Sequence, residues 1–276
     1  MSKAGAHDVD PEIALVLAEC HRRDRLRMML ALAIAAVLAG SLAASGGLEL
    51  RRYADAGRTI LQLLADATPP DFARGRSWLR PLFETLMMSI GATLIGGLAA
   101  FPLSLLASRT THFPKAVSVA AQLLLNIARS IPELIFGVIF VAAVGFGPLA
   151  GLLALACHSV GMLGKFATEH LEHLDGAPAA ALESQGVSRI GIIRFCLVPQ
   201  VLPRLVDLTL YRWEHNVRAA SVMGMVGAGG LGLELITAFS LFEYREALAI
   251  LVVILATVTI IDLGSRRLRG LLVERT

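Results

Sequence analysis

Charge is scarce in this chain. Asp, Glu, Lys and Arg make up 17% of its 276 residues, where a soluble domain carries about a quarter. Hydrophobic residues fill 55%, and mean hydropathy is +0.67. That balance excludes a soluble globular body, and membrane spans rather than length then set the organisation. Cysteine is scarce too. Cys20, Cys157 and Cys196 lie too far apart for a metal-ligand pattern, and an odd, scattered set builds no disulfide scaffold. Nucleotide chemistry is also missing. Gly164-Lys165 is followed by Phe166, so there is no G-x-x-x-x-G-K-[ST] loop to cradle phosphates. Energy for any active process must come from a partner or an ion gradient. Glu169-His170-Leu-Glu172-His173 lacks the H-E-x-x-H zinc spacing and reads as a solvated helix end. No metal, cofactor or catalytic residue is expected. The net charge of +3 is mostly arginine, which here reports topology rather than nucleic acid.

What the chain does have is long apolar runs. Residues 28–47 are enough, at about 20 residues, to cross the hydrocarbon as a helix. Further spans are expected at 82–108, 116–144, 149–168, 201–226 and 246–263. The fold class is therefore an all-α membrane protein with about six transmembrane helices. Gly91, Gly96, Gly97 and Pro102 in the second span suit close helix contacts. Arg22, Arg23, Arg25 and Arg27 precede the first span and hold the N-terminus inside. Lys3, Arg109, Lys115, Lys165, Arg189 and Arg194 fall on the same side, as do Arg266, Arg267, Arg269 and Arg275 after the last span. Segment 48–81 is polar, broken by Pro69-Pro70, with a short amphipathic helix expected over 53–65. Its six arginines (Arg51, Arg52, Arg58, Arg74, Arg76, Arg80) run against the pattern, but charge in a long loop counts for less. The polar segment of about 27 residues before the first span exceeds a usual n-region, which favours a retained span over a cleaved leader.

One polar interruption is short and structured. Ala179-Ala-Ala-Leu-Glu183-Ser-Gln-Gly186, closed by Val198-Pro199, reads as helix, tight turn, second helix, stop. Gly186 can take the left-handed conformation that ends a helix, and Pro199 resists continuing one. This elbow resembles the EAA loop of ABC-importer permeases. In that alignment Ala180 stands first, Ala181 second, Leu182 replaces the second alanine, the acid appears at Glu183, and Gly186 fills the glycine position. Arg129-Ser-Ile-Pro-Glu-Leu134, Val198-Pro-Gln-Val-Leu-Pro203, Tyr211-Arg-Trp-Glu-His-Asn-Val-Arg-Ala-Ala220 and Gly224-Met-Val-Gly-Ala-Gly-Gly-Leu-Gly232 are similar to the phosphonate-uptake branch.

The resemblance covers residue 82 to the C-terminus and implies a type I importer permease core, N-in and C-in, in a bacterial inner membrane. It divides the chain into a cytoplasmic segment 1–27, a first span 28–47, a periplasmic loop 48–81, a five-helix core 82–266 and a tail 267–276. The coupling loop would occupy 177–200. It also implies partners: cytoplasmic ATP-binding subunits, a second permease copy or paralogue, and a periplasmic substrate-binding protein. Ala180, Ala181, Glu183, Gly186 and Pro199 would carry coupling to the ATPase. The solute implied is a phosphorus oxyanion such as phosphonate, phosphite or hypophosphite. Two alternatives stay open: an ABC permease for another small solute, and a proton-coupled carrier relaying protons through Glu133, Glu214 and His215. No inverted repeat is visible for such a carrier.

Arg212, Glu214, His215 and Arg218 interrupt the fifth span. Each ionised group at mid-bilayer costs about 3 kcal/mol on insertion scales, so all must face the bundle, a partner or water. Glu214 and Arg218, one turn apart, are expected to pair. The set reads as a cationic constriction for an anion, or as a structural ion pair. Arg129 and Glu133 pose the same choice across the break at Pro132, with Ser130 as a candidate cap and free amides as an anion seat. Gly227, Gly229 and Gly232 match G-x-G-x-x-G, but a membrane helix rather than a strand precedes them. Together with Gly230 they read as a gate or turn.

Overall fold

Small residues set how closely the helices approach. A Cβ on Gly96 would stand 2.6 Å from the Cβ of Ser159, a helix away. The computed structural model describes residues 11–47 and 54–273, with side chains for 22–47 and 54–271. Expectations resting on residues 1–10 with Lys3, on 48–53 with Arg51, Arg52 and Tyr53, and on 274–276 with Arg275 lie outside the described residues. The described helices are α1 (Pro11–Ala44), α2 (Ala56–Ala67), α3 (Leu79–Ala107), α4 (Lys115–Ser130), α5 (Glu133–Val144) and α6 (Pro148–Glu172). They continue with α7 (Ala177–Ser184), α8 (Arg189–Ile192), α9 (Val198–Met223), α10 (Gly230–Ser240) and α11 (Tyr244–Val273). Four stretches are long and apolar enough to cross a membrane: Arg22–Ala44, Leu79–Ala107, Pro148–Glu172 and Tyr244–Leu271. Two bent pairs, α4 with α5 and the α8–α9 run with α10, raise the number to six if each is one span.

The chain divides into residues 1–63 and 64–276. In the first unit, every α1 side chain from Arg22 to Ala44 is exposed. From Met28 to Ala44 this helix presents apolar side chains all round, which suits lipid or another protein against it. In the second unit α6 is central. Met88 and Ala92 of α3, Ala154 and Leu155 of α6, and Ala220 and Met223 of α9 form its core. Small side chains dominate there because helix association in lipid relies on close packing rather than a hydrophobic drive.

Four local expectations need correction. The third span is two helices at 90° rather than one interrupted helix. Proline pushes the residue before it out of the helical region, and Ile131 sits extended at φ −86°, ψ 120°. Ser130 does not cap α5: its hydroxyl donates back to the Asn126 carbonyl at 2.7 Å. Pro199 does not stop the elbow's second helix. A π-helical stretch, Ile193–Leu197, precedes it, and the chain runs on as α9 to Met223. Pro199 falls in the first turn of α9, where a missing amide hydrogen costs little. The stretch between the expected spans 201–226 and 246–263 is more than a link, because α10 occupies much of it.

Candidate functional site

The charges of α9 divide between two faces because residues two apart on a helix point a little over half a turn away from each other. Arg212 and Asn216 face α3 and α6. Asn216 donates from Nδ2 to Thr93 Oγ1 at 2.9 Å and to Ser159 Oγ at 3.0 Å. Arg212 donates from Nε to the same Ser159 hydroxyl at 2.9 Å. Thr93, Ser159, Arg212 and Asn216 are all buried, so one polar knot ties three helices together.

Glu214 and Arg218 point the other way, to α11, and do not pair with each other. Arg218 Nη1 meets Asp262 Oδ1 at 3.1 Å, and Glu214 accepts from Arg269. Arg269 also lies 3.7 Å from Asp207, which in turn pairs with Arg204 at 3.0 Å. A better partner across the interface wins over one along the helix because it neutralises charge on both helices. Arg269, read from the sequence as a topology marker, is therefore a contact within the bundle.

The pair expected between Arg129 and Glu133 is absent as well. Arg129 is exposed and its Nε donates to Asn126 Oδ1 at 3.1 Å. Glu133, the first residue of α5, instead lies between two imidazoles. Its Oε2 is 3.3 Å from His158 Nε2 on α6, and its Oε1 is 4.0 Å from His215 Nε2 on α9. His158 Nδ1 faces the Ile131 carbonyl at 3.0 Å, anchoring the ring to the α4–α5 break. A cavity of about 440 Å³ opens beside this cluster, with Glu133, His215 and Arg218 on its polar side and Leu134, Ala219 and Val222 among its walls. His158, Ser159, Thr93 and Asp262 were not singled out from the sequence. A polar side chain inside an apolar span was the signal available for each.

The glycines beyond α9 turn the chain where no other residue would. Gly227, Gly229 and Gly230 have φ of +91°, +79° and +69°. The Gly227 carbonyl accepts from the Gly147 amide at 3.1 Å. Leu231, in the first turn of α10, donates its amide to Thr85 Oγ1 at 2.9 Å. Gly232 serves a different need: a Cβ there would overlap the Ser221 carbonyl oxygen. A 3-10 turn, Gly224–Val226, leads into the run, in place of the strand a dinucleotide site requires.

At the elbow, Gly186 has φ +77°. Its amide donates to the Glu183 carbonyl at 2.9 Å, and the Val187 amide reaches the Leu182 carbonyl at 3.1 Å. This is a Schellman ending, which satisfies the last carbonyls of α7. Ser188 caps α8, its hydroxyl accepting from the Gly191 amide at 3.3 Å. Arg189 Nη1 donates to the His112 carbonyl at 2.6 Å, fixing the elbow to the turn between α3 and α4. Ala180, Ala181, Glu183, Gly186 and Pro199 are exposed. So are Ile190 at 76% and Phe195 at 71%, a large apolar pair that the sequence reading passed over.

Comparison with known proteins meets this geometry from another direction. Residues 92–276 match the family "Binding-protein-dependent transport system inner membrane component". Over 211 residues the chain is 49% identical to the phosphite transport system permease protein PtxC of Stutzerimonas stutzeri, covering 76% of this chain and 77% of that protein. It is 36% identical over 220 residues to the phosphate-import permease protein PhnE of Mycolicibacterium smegmatis, covering 80% of this chain and 41% of that protein. Among solved structures, an inward-facing MetNI methionine ABC transporter aligns with TM-score 0.61 at 22% identity, covering 71% of this chain and 95% of that one. That likeness shows that the two chains share a fold. A family match over two thirds of the chain, a relative at near half identity and the shared helix arrangement lead to one placement: this chain is a membrane-embedded member of the binding-protein-dependent transport family.

Proposed function

We propose that this chain is the permease subunit of an ATP-driven importer for a phosphorus oxyanion, receiving the solute from a periplasmic binding protein and passing it to the cytoplasm. The observation that carries the reading is the 49% identity to a phosphite transport permease across three quarters of both chains. The membrane is a bacterial inner membrane, with the N-terminus, C-terminus and elbow on its cytoplasmic side. Two ATP-binding subunits grip the elbows of two permeases through Glu183, the turn at Gly186 and the exposed Ile190 and Phe195. Because the elbow continues through the π stretch into α9, a push on it moves the helix that carries Arg212, His215 and Arg218. ATP binding then turns the pathway outward, and hydrolysis resets it.

The passage runs past Glu133, His215 and Arg218, with Arg212 buried behind them and Glu214 locked to α11. Gly227, Gly229, Gly230 and Gly232 form the turn at its outer mouth. The test is genetic. Deleting the gene should abolish growth on phosphite, hypophosphite or a phosphonate as sole phosphorus source and spare growth on abundant phosphate. Normal growth on all three would remove the reading.

A further inference from the structure

We propose that the Glu133 carboxylate is a tethered stand-in for the transported anion, seated between His158 and His215, and that a phosphorus oxyanion displaces it on its way through the permease. The proposal rests on the phosphorus-oxyanion reading given above and assigns that solute a seat in the permease itself.

Four observations converge. First, imidazoles from two different helices approach opposite oxygens of one carboxylate, at 3.3 Å from α6 and 4.0 Å from α9. The carboxylate is held from outside its own helix, as a bound ligand would be. Second, the carboxylate stands at the first residue of α5, whose N-terminal end favours any negative charge.

Third, the neighbouring Arg212 and His215 side chains each leave one polar atom without a partner. The Arg212 Nη2 and His215 Nδ1 atoms are buried and find no hydrogen-bond partner among the described residues. A buried guanidinium N–H, which can only donate, is rarely left so, and Arg212 as a whole is only 4% exposed. Phosphite or a phosphonate brings a third oxygen that a planar carboxylate lacks. Fourth, the His158 ring has a fixed hydrogen-bond demand. Its Nδ1 faces a carbonyl, which only accepts, so Nδ1 carries hydrogen. The contact from Nε2 to Glu133 then needs one more proton, on the imidazole or on the carboxyl. An acidic P–OH group supplies that same proton. The adjoining cavity of about 440 Å³ lies within the usual range for small-ligand sites.

The test uses the whole transporter, this chain with its ATP-binding partner, in lipid nanodiscs without the binding protein. Equilibrium binding of radiolabelled phosphite, and of inorganic phosphate as the second probe, is measured directly. Native complex should bind weakly because Glu133 holds the seat. Glu133→Gln should bind about tenfold tighter, since the competent state no longer competes with a resident anion. Adding His158→Gln and His215→Gln should abolish that gain. Equal binding by native and Glu133→Gln complexes, or a gain that survives loss of both histidines, overturns the proposal. If Glu133→Gln fails to assemble on size exclusion, Glu133→Asp draws the carboxylate back from the rings and should show the same gain. No gain there overturns it equally. Uptake by the native complex with its binding protein separates the two claims. With phosphite, phosphonate or phosphate uptake intact and no gain, the seat alone is wrong. With no uptake of any of them, the importer reading fails as well.

Discussion

Arg218 on α9 bonds both carboxylate oxygens of Asp262 on α11, its Nη1 standing 3.1 Å from Oδ1 and 3.2 Å from Oδ2. Arg218 also lines the cavity beside Glu133, so one guanidinium joins a structural contact to the proposed passage. Arg218→Ala should therefore lower stability by about 2 kcal/mol, the worth of a hydrogen bond to a charged group. Thermal unfolding of the complex in nanodiscs measures it. A paired Arg218→Met, Asp262→Leu variant should recover most of the loss, because no lone charge is left in lipid. Uptake should stay low in both. Normal uptake by the stable double variant would show that Arg218 is structural only.

The elbow depends on backbone geometry rather than on space. A Cβ on Gly186 meets nothing within 4 Å, yet φ is +77°. A β-branched side chain resists that conformation at a cost of about 1–2 kcal/mol. Gly186→Val should therefore shift the turn and lower solute moved per ATP hydrolysed, whereas Gly186→Asn, which tolerates the left-handed region, should remain near native. Parallel uptake and phosphate-release assays give the ratio. A native ratio in the valine variant would count against mechanical work entering at this turn.

Gly232 is the opposite case, because there space decides. Its missing side chain lets α10 fold back on the Ser221 carbonyl. Gly232→Ala should destabilise the complex by about 3 kcal/mol, the upper end of overpacking. Gly97→Ala is the control. Its nearest neighbour would be Leu163 Cδ1 at 4.0 Å, and its melting temperature should hardly move.

The knot at Asn216 should behave as one unit. Asn216→Leu removes bonds to Thr93 and Ser159 together and should cost about 1–2 kcal/mol, the usual scale for interhelical hydrogen bonds in lipid. Ser159→Ala should cost a similar amount, and the double variant much less than the sum. Additive losses in the melting series would show that the bonds act separately.

Much of this fold is legible because lipid demands it. Apolar runs of span length leave few choices, and Ile131-Pro132 and Gly186 mark a break and a turn through backbone sterics alone. Interactions between helices were not legible. Glu214 and Arg218 look like partners at one-turn spacing, but Arg269 and Asp262 come from a distant helix and bridge an interface. Glu133 likewise turns to His158, which no local pattern links to it. α10 escaped notice because its glycine-rich start resembles a loop, although Leu231 and Ala238 bury against α11. Pro199 misled for a related reason: the π stretch before it places the ring in a first turn.

The most direct test of the account is uptake of radiolabelled phosphite into proteoliposomes holding the complete transporter, with binding protein outside and either ATP or a proton gradient as the energy source. Accumulation should require ATP within the lumen that faces the elbow and should be indifferent to the gradient. Accumulation driven by the proton gradient without ATP would contradict it, and would make Glu133, His158 and His215 a proton relay instead.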